Sequence, residues 1–208
     1  MNISIINGSP KLEKNNSELL INLFLSQLDK KNALHIYHLS KEGLSHEQLT
    51  KLASSDILLF VFPLYIDSIP SHLLRLLIEL SSKKILSKNI MVYCMINNGF
   101  FEGRQNHIAI KQMQHWCTSA GVTWGQAIGI GAGEMLPFIS GTPLGHGPNK
   151  NLGIAITEFV QNIQTQKSGK ALFISPNWPR SVWKLQSTLL VWYPRAKRNG
   201  LKWKELFR

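Results

Sequence analysis

"DILLFVFP", residues 56–63, runs through six apolar residues without a polar interruption between Asp56 and Pro63. A strand with one wet face alternates apolar and polar residues. An unbroken run of this length fits a strand covered on both faces, as in a parallel sheet with helices above and below it. Upstream, "NISIIN" (2–7) reads as a strand, Leu20, Leu23, Phe24 and Leu28 form a helical stripe, "ALHIYHL" (33–39) alternates as a strand, and a short helix covers 45–53. Downstream, Leu73, Leu76, Leu77 and Leu80 make a second helical stripe, followed by a strand "NIMVYCMIN" (89–97) and a helix over about 104–120. A fifth strand, "VTWGQAIGIG" (122–131), a Gly/Pro-rich loop, "GTPLGHGP" (141–148), and a last helix over about 151–166 complete the pattern. Five consecutive strand–helix units predict an α/β fold with a doubly wound five-stranded parallel sheet of order 2-1-3-4-5.

Length and composition fit that reading. The chain has 208 residues, of which 44 % are hydrophobic, enough for one full core with an appendage. Cys94 and Cys117 lie in apolar segments without CxxC spacing, which predicts two buried thiols in a reducing cytoplasm and neither a disulfide framework nor a zinc or iron–sulfur site. The N-terminus lacks the basic region and apolar length of a signal peptide, and the longest apolar run, "ILLFVFPLYI" (57–66), is interrupted by Pro63 and far shorter than a membrane span. A soluble cytoplasmic protein is therefore expected. The net charge of +11 is unevenly placed: residues 1–166 hold 13 Lys+Arg and 11 Asp+Glu (+2), and residues 167–208 hold 10 and 1 (+9). The break at "QKSGK" (166–170) divides the sequence into a body, 1–166, and a basic, aromatic C-terminal extension, 167–208.

The first strand-to-helix turn, "NGSPKLEKNNSELL" (7–20), is neither a Walker A loop nor a G-x-G-x-x-G fingerprint. "GIGAG" (129–133) spaces its glycines suggestively, but it follows the fifth strand and has Glu134 where the third fingerprint glycine belongs; a turn needing flexible backbone explains it better. The first turn does gather hydroxyls, amides and a lysine ahead of a helix. Helix N-termini present unpaired amides and the positive end of the dipole, so a phosphate is the natural guest. The competing reading is a plain helix cap, since Asn15 with Glu18 three residues on is a capping-box-like pattern. In a sheet of this order ligands sit outside the carboxyl ends of the strands, where the winding reverses between strands one and three. The loops after strands three and four, "PLYIDSIP" (63–70) and "NNGFFEGRQ" (97–105), are rich in turn formers and aromatics and suit a flat ring.

Taken together, "NGSPK…NNSELL", "DILLFVFPLYIDSIPSHL" and "NNGFFEG" resemble the flavodoxin-like NAD(P)H-dependent FMN reductase family over about residues 1–166. The resemblance implies FMN as cofactor, with Ser9, Lys11, Asn16 and Ser17 around its phosphate, Pro63, Leu64, Tyr65 and Ile66 beside the isoalloxazine, and Asn98, Gly99 and Phe100 near the pyrimidine edge. It implies NAD(P)H as co-substrate, hydride passed through bound FMN to a small oxidised acceptor such as a quinone or flavin, and a homo-oligomer. In such an enzyme the cofactor carries the hydride chemistry and no side chain need act as acid or base; backbone amides at Asn98 and Gly99 would face the negative charge that grows on the reduced ring. "KLEK" (11–14) departs from the compact polar loop usual in the family. Two other readings stay open: a non-enzymatic electron carrier, and an interaction protein that uses its tail.

In the extension, Val182, Leu185, Leu189 and Trp192 fall at helical spacing, Pro194 is expected to end that helix, and "RAKRNGLKWK" (195–204) mixes basic and apolar residues. Packing on the body or a neighbouring subunit is the first reading, peripheral membrane contact the second and nucleic acid the third.

Overall fold

A computed structural model describes residues 1–11, 13–40 and 42–207. The chain forms two compact units, Met1–Pro176 and Asn177–Arg208.

The first unit is an α/β domain built on a six-stranded sheet: β1 (Asn2–Asn7), β2 (Ala33–His38), β3 (Ile57–Pro63), β4 (Met91–Asn97), β5 (Thr123–Ile130) and β6 (Leu172–Ile174). Its order is β2-β1-β3-β4-β5-β6, and every pairing is parallel. The five expected strands and their order are present, and the count of five is corrected by β6, which pairs with Ile128–Ile130 of β5. The sheet therefore takes in residues beyond Lys167, and the compact unit ends at Pro176 rather than at the charge break. The segment around that break is the exit turn of a helix: Thr165 caps it, the Lys167 amide donates to Asn162 O at 2.8 Å, and Gln166 takes a left-handed φ of 50°.

The long helices are α1 (Asn16–Gln27), α2 (His46–Ala53), α3 (Ser71–Ser82), α4 (His107–Ala120) and α6 (Lys150–Gln164), with a single turn, α5 (Leu136–Ile139), before α6. Alternate residues of each central strand face opposite layers. Ile3, Ile5, Leu59, Val61, Tyr93 and Met95 pack against Leu20 and Phe24 of α1 and Ile156 and Phe159 of α6. Ile6, Leu58, Phe60, Phe62, Cys94 and Ile96 pack against α2, α3 and α4. β3 is buried from Ile57 to Phe62, which is why its sequence shows no alternation. Both thiols are buried, and burial pushes the Cys117 thiol up to about 12 and the Cys94 thiol well above its ordinary value. Such thiols remain protonated and inert. Among the described residues no helix is long and apolar enough to cross a membrane.

The glycines of "GIGAG" (129–133) serve close approach, not backbone freedom. None of Gly129, Gly131 and Gly133 has a positive φ, whereas Ala132 between them sits at φ 53°. A Cβ on Gly131 would lie 2.1 Å from Phe101 O, and one on Gly129 2.8 Å from Gly103 O. The chain after β4 lies directly on β5, and its Gly103 meets the edge strand in the same way, with a Cβ 2.3 Å from Ile174 O. The sequence expectation of a flexible turn is thus replaced by a tightly stacked one.

The second unit is largely helical: α7 (Arg180–Ser187), a π-helical turn over Thr188–Trp192, α8 (Tyr193–Arg198) and a 3-10 turn over Trp203–Phe207. Pro194 does not end the helix as expected but sits in the first turn of α8. Proline lacks an amide and crowds the carbonyl four residues back; the widened turn ahead of it, marked by the Tyr193 amide donating to Thr188 O, accommodates both defects.

Candidate cofactor cleft

A cleft of about 300 Å³ opens at the carboxyl ends of β1, β3, β4 and β5. Its lining joins all three sequence-identified loops: Ser9, Lys11, Asn16 and Ser17 from the first, Pro63, Leu64 and Tyr65 from the second, Asn98 and Gly99 from the third. Ile66 and Phe100 are absent from that lining and are 99 % and 54 % exposed. Lys14, Asn15, Asn97, Glu134 and Pro137 join it.

The first loop is held by its own amides. Asn7 Oδ1 accepts the Ser9 amide at 3.0 Å, Ser9 Oγ accepts the Lys11 amide at 3.3 Å, and Asn15 Nδ2 donates to Lys11 O at 3.0 Å. Asn15 caps α1 as the sequence pattern requires, its Oδ1 accepting the Glu18 amide at 2.9 Å. That bond satisfies the third amide of the helix. The amides of Asn16 and Ser17 have no intrahelical acceptor, because no earlier turn exists to supply one. The same strand end is pinned from the other layer: His72 Nε2 donates to Gly8 O at 3.1 Å, and burial holds the imidazole below its usual value and therefore neutral at pH 7.

Gly133 joins the first loop to the others. Asn16 Nδ2 donates to Gly133 O at 2.9 Å, the Gly133 amide donates to Asn98 O at 2.7 Å, and a Cβ there would sit 2.8 Å from Asn97 Nδ2. This brings Glu134 onto the cleft wall, beside Gly99. The third loop is an Asx turn in which Asn98 Oδ1 accepts the Phe100 amide at 2.8 Å while Asn98 Nδ2 donates to Glu102 O at 3.2 Å. The Asn98 amide donates to Ile130 O at 3.0 Å, so it is not free for the charge-stabilising role read from the sequence.

The second loop makes a two-residue reversal: Tyr65 and Ser68 exchange both backbone bonds, at 3.0 and 2.9 Å, and Ile66 and Asp67 between them have φ of 46° and 57°. Such turns favour Asn-Gly. A β-branched residue in this conformation costs about 1–2 kcal/mol. Ile66→Asn is accordingly expected to stabilise the domain by about 1 kcal/mol, read as a higher urea midpoint at unchanged slope. A lower midpoint would mean that this 99 % exposed side chain makes a contact in solution that outweighs its strain.

Two buried polar atoms on the lining lack a hydrogen-bond partner among the described residues: Ser17 Oγ and Asn97 Oδ1, on residues 1 % and 4 % exposed. Leaving such an atom unpaired costs about 1–3 kcal/mol, so each is a place where a bound molecule would repay its burial. Lys11, Lys14 and the dipole of α1 outweigh Glu134, the one carboxylate among the described lining residues, and make the α1 end of the cleft suited to an anion.

No protein-family model matches the sequence, and no curated protein matches it. The fold, in contrast, has counterparts among solved structures. An NADH:FMN oxidoreductase (EMOB) in its apo form aligns with TM-score 0.57 at 15 % identity, over 81 % of this chain and 90 % of that one. An NADPH-quinone reductase from P. pentosaceus aligns with TM-score 0.56 at 14 % identity, over 78 % and 99 % of the two chains. An FMN-dependent NADH-azoreductase from Bacillus anthracis, solved in complex with FMN, aligns with TM-score 0.53 at 12 % identity, over 78 % and 98 %. At these identities the likeness is one of architecture, and the first unit of this chain has the flavodoxin-like α/β fold.

Proposed function

We propose that the chain is an FMN-dependent NAD(P)H oxidoreductase acting on a small oxidised acceptor. The observation that carries this reading is Ser17 Oγ, buried with no partner among the described residues beside the N-terminal amides of α1, on a cleft that gathers residues from three loops at the winding reversal. A phosphate dianion would accept from Ser17 Oγ and the first-turn amides, with Ser9, Asn16, Lys11 and Lys14 around it. Asn16 keeps its side-chain amide on Gly133 and so contributes position more than donors. Pro63, Leu64 and Tyr65 would flank the ring, and Asn98 would order the turn that presents Gly99. Ile66 and Phe100 belong to the rim on this reading, where a second substrate or a neighbouring subunit could meet them. A volume of about 300 Å³ is at the lower end for small-molecule sites, so the ring would stay open on one side to nicotinamide and acceptor in turn.

When bound, FMN supplies two-electron chemistry between a nicotinamide donor and an oxidised acceptor such as a quinone or a flavin. The protein's share is to hold the phosphate, orient the ring and supply peptide dipoles at its edge. The three solved structures named above are, by their own descriptions, oxidoreductases of this general type, which supports the reading. Exposed Leu74 and Ile78 of α3 and Ile108 of α4 suit a homo-oligomer, and the two buried, unpaired thiols suit a reducing cytoplasm.

The test uses the full chain with FMN under anaerobic conditions. Added NADH or NADPH should bleach the flavin band in many turnovers once a quinone is supplied. Protein that takes up FMN but is reduced only chemically, in one-electron steps, would identify a carrier instead.

A further inference from the structure

The second unit, 177–208, holds eight Lys+Arg and one Asp+Glu, a net +7 in 32 residues. Its helical stretch leaves Val182, Leu185, Leu189, Leu190 and Trp192 each 37–59 % exposed, with Leu201 and Trp203 exposed beyond it. A protein surface does not ordinarily display this many large apolar side chains in so short a segment. Interleaved with them stand exposed Lys184, Lys197 and Arg198.

We propose that this unit is an interfacial anchor that docks on an anionic lipid surface. Val182, Leu185 and Leu189, spaced three and four residues apart, present one apolar stripe, and Trp192 extends it through the π-helical turn. The aliphatic stems of lysine and arginine lie along apolar surface while their charges stay in the headgroup layer. Leucine and tryptophan enter the boundary between headgroups and acyl chains, and each nearby cation adds attraction to anionic lipid. The helical stretch carries Arg180, Lys184, Arg195, Lys197 and Arg198 and is not apolar enough to cross a bilayer, so it lies in the plane. The other occupants fit less well. A second copy would bring one +7 surface against another, and a nucleic acid would satisfy the charge but leave the leucine and tryptophan side chains wet.

The experiment is sedimentation of the full-length protein with vesicles of phosphatidylglycerol mixed with phosphatidylcholine, and with vesicles of phosphatidylcholine alone. Wild type should bind the anionic vesicles and bind them more weakly as salt rises. Replacing Lys184, Lys197 and Arg198 together by glutamate should weaken binding by about a hundredfold or more. The double substitution Leu185→Glu and Leu189→Glu, at exposed positions, should abolish it with the far-UV spectrum unchanged. Equal binding to both vesicle types, or binding to neither, overturns the proposal even if a variant fails to fold. So does a dimer in wild type that the leucine substitutions dissociate, or retention on duplex DNA without vesicle binding; these outcomes assign the surface to a second copy or to nucleic acid.

Discussion

Replacing Ser17 by alanine is expected to weaken FMN binding by about ten- to a hundredfold, the worth of one hydrogen bond to a charged group, while leaving the apoprotein at least as stable as before. The two halves of this expectation have opposite structural origins. Ser17 Oγ is buried with no hydrogen-bond partner among the described residues, so without ligand its removal should relieve a desolvation penalty. In the complex the same atom would donate to a phosphate oxygen, so removing it costs a charge-assisted bond. A serine that merely helped to cap α1 would behave differently. The cap is Asn15, and its substitution by alanine should lower stability by about 1 kcal/mol even without ligand. Thermal unfolding of both variants with and without FMN separates the roles. If Ser17→Ala lowered apoprotein stability and left FMN affinity unchanged, the phosphate assignment at this helix would fall.

The substitution with the largest expected effect on folding is Gly103→Ala. Its Cβ would lie 2.3 Å from both Gly129 O and Ile174 O and 2.7 Å from Ile174 N. All three are backbone atoms of β5 and β6, and no rotamer change can make room. A loss of about 4 kcal/mol or more is expected, in the tail of the distribution for single substitutions. For a chain of this size that lowers the melting temperature by about 10 °C. Gly141→Ala is the control: among the described residues nothing beyond its chain neighbours lies within 4 Å of its would-be Cβ and its φ is not positive, so it should stay within about 0.5 kcal/mol of wild type. The chain after Asn98 would lose its seat on β5 in Gly103→Ala, so ligand binding should weaken along with stability, whereas Gly141→Ala should leave both unchanged.

How much of this was legible in the sequence depends on which physical signal each element carries. β3 and β4 are covered on both faces, and burial on that scale leaves an apolar run that can be read without alignment. β6 is three residues at the sheet edge, partly exposed, and lies beyond a change in charge density. Charge records solvation and not connectivity, so a helix exit turn at Gln166 looked like a domain boundary. Three loops of the cleft were legible by position: they follow strands one, three and four at the winding reversal, and without that placement the first reads equally as the helix cap that Asn15 provides. Direction was not: nothing in "PLYIDSIP" reveals that Ile66 and Asp67 both turn left-handed and send Ile66 into solvent, and nothing in "NNGFF" fixes which side Phe100 faces.

The fourth wall, with Glu134, did leave a signal. Glycine at every second position of 129–133 means that one side of the strand end cannot carry even a Cβ, and what it admits here is the chain descending from the third loop. Read as close approach, that pattern would have placed the loop after β5 beside the site. The commitment of the Asn98 amide to Ile130 O had no sequence signature, since it depends on how two parallel strands end in register. Pro194 misled for a related reason: the rule that proline ends a helix assumes α geometry in the preceding turn, and the chain adopts π geometry there.

The central claim is that the N-terminus of α1 holds the phosphate of a flavin mononucleotide. Titrating the full-length protein with FMN and, separately, with riboflavin tests it most directly, because the two ligands share the ring and differ in the phosphate. With two or more charge-assisted bonds at the helix end, FMN should bind one per chain and riboflavin about a hundredfold more weakly or worse. Equal affinity for the two, or no uptake of either, would contradict it.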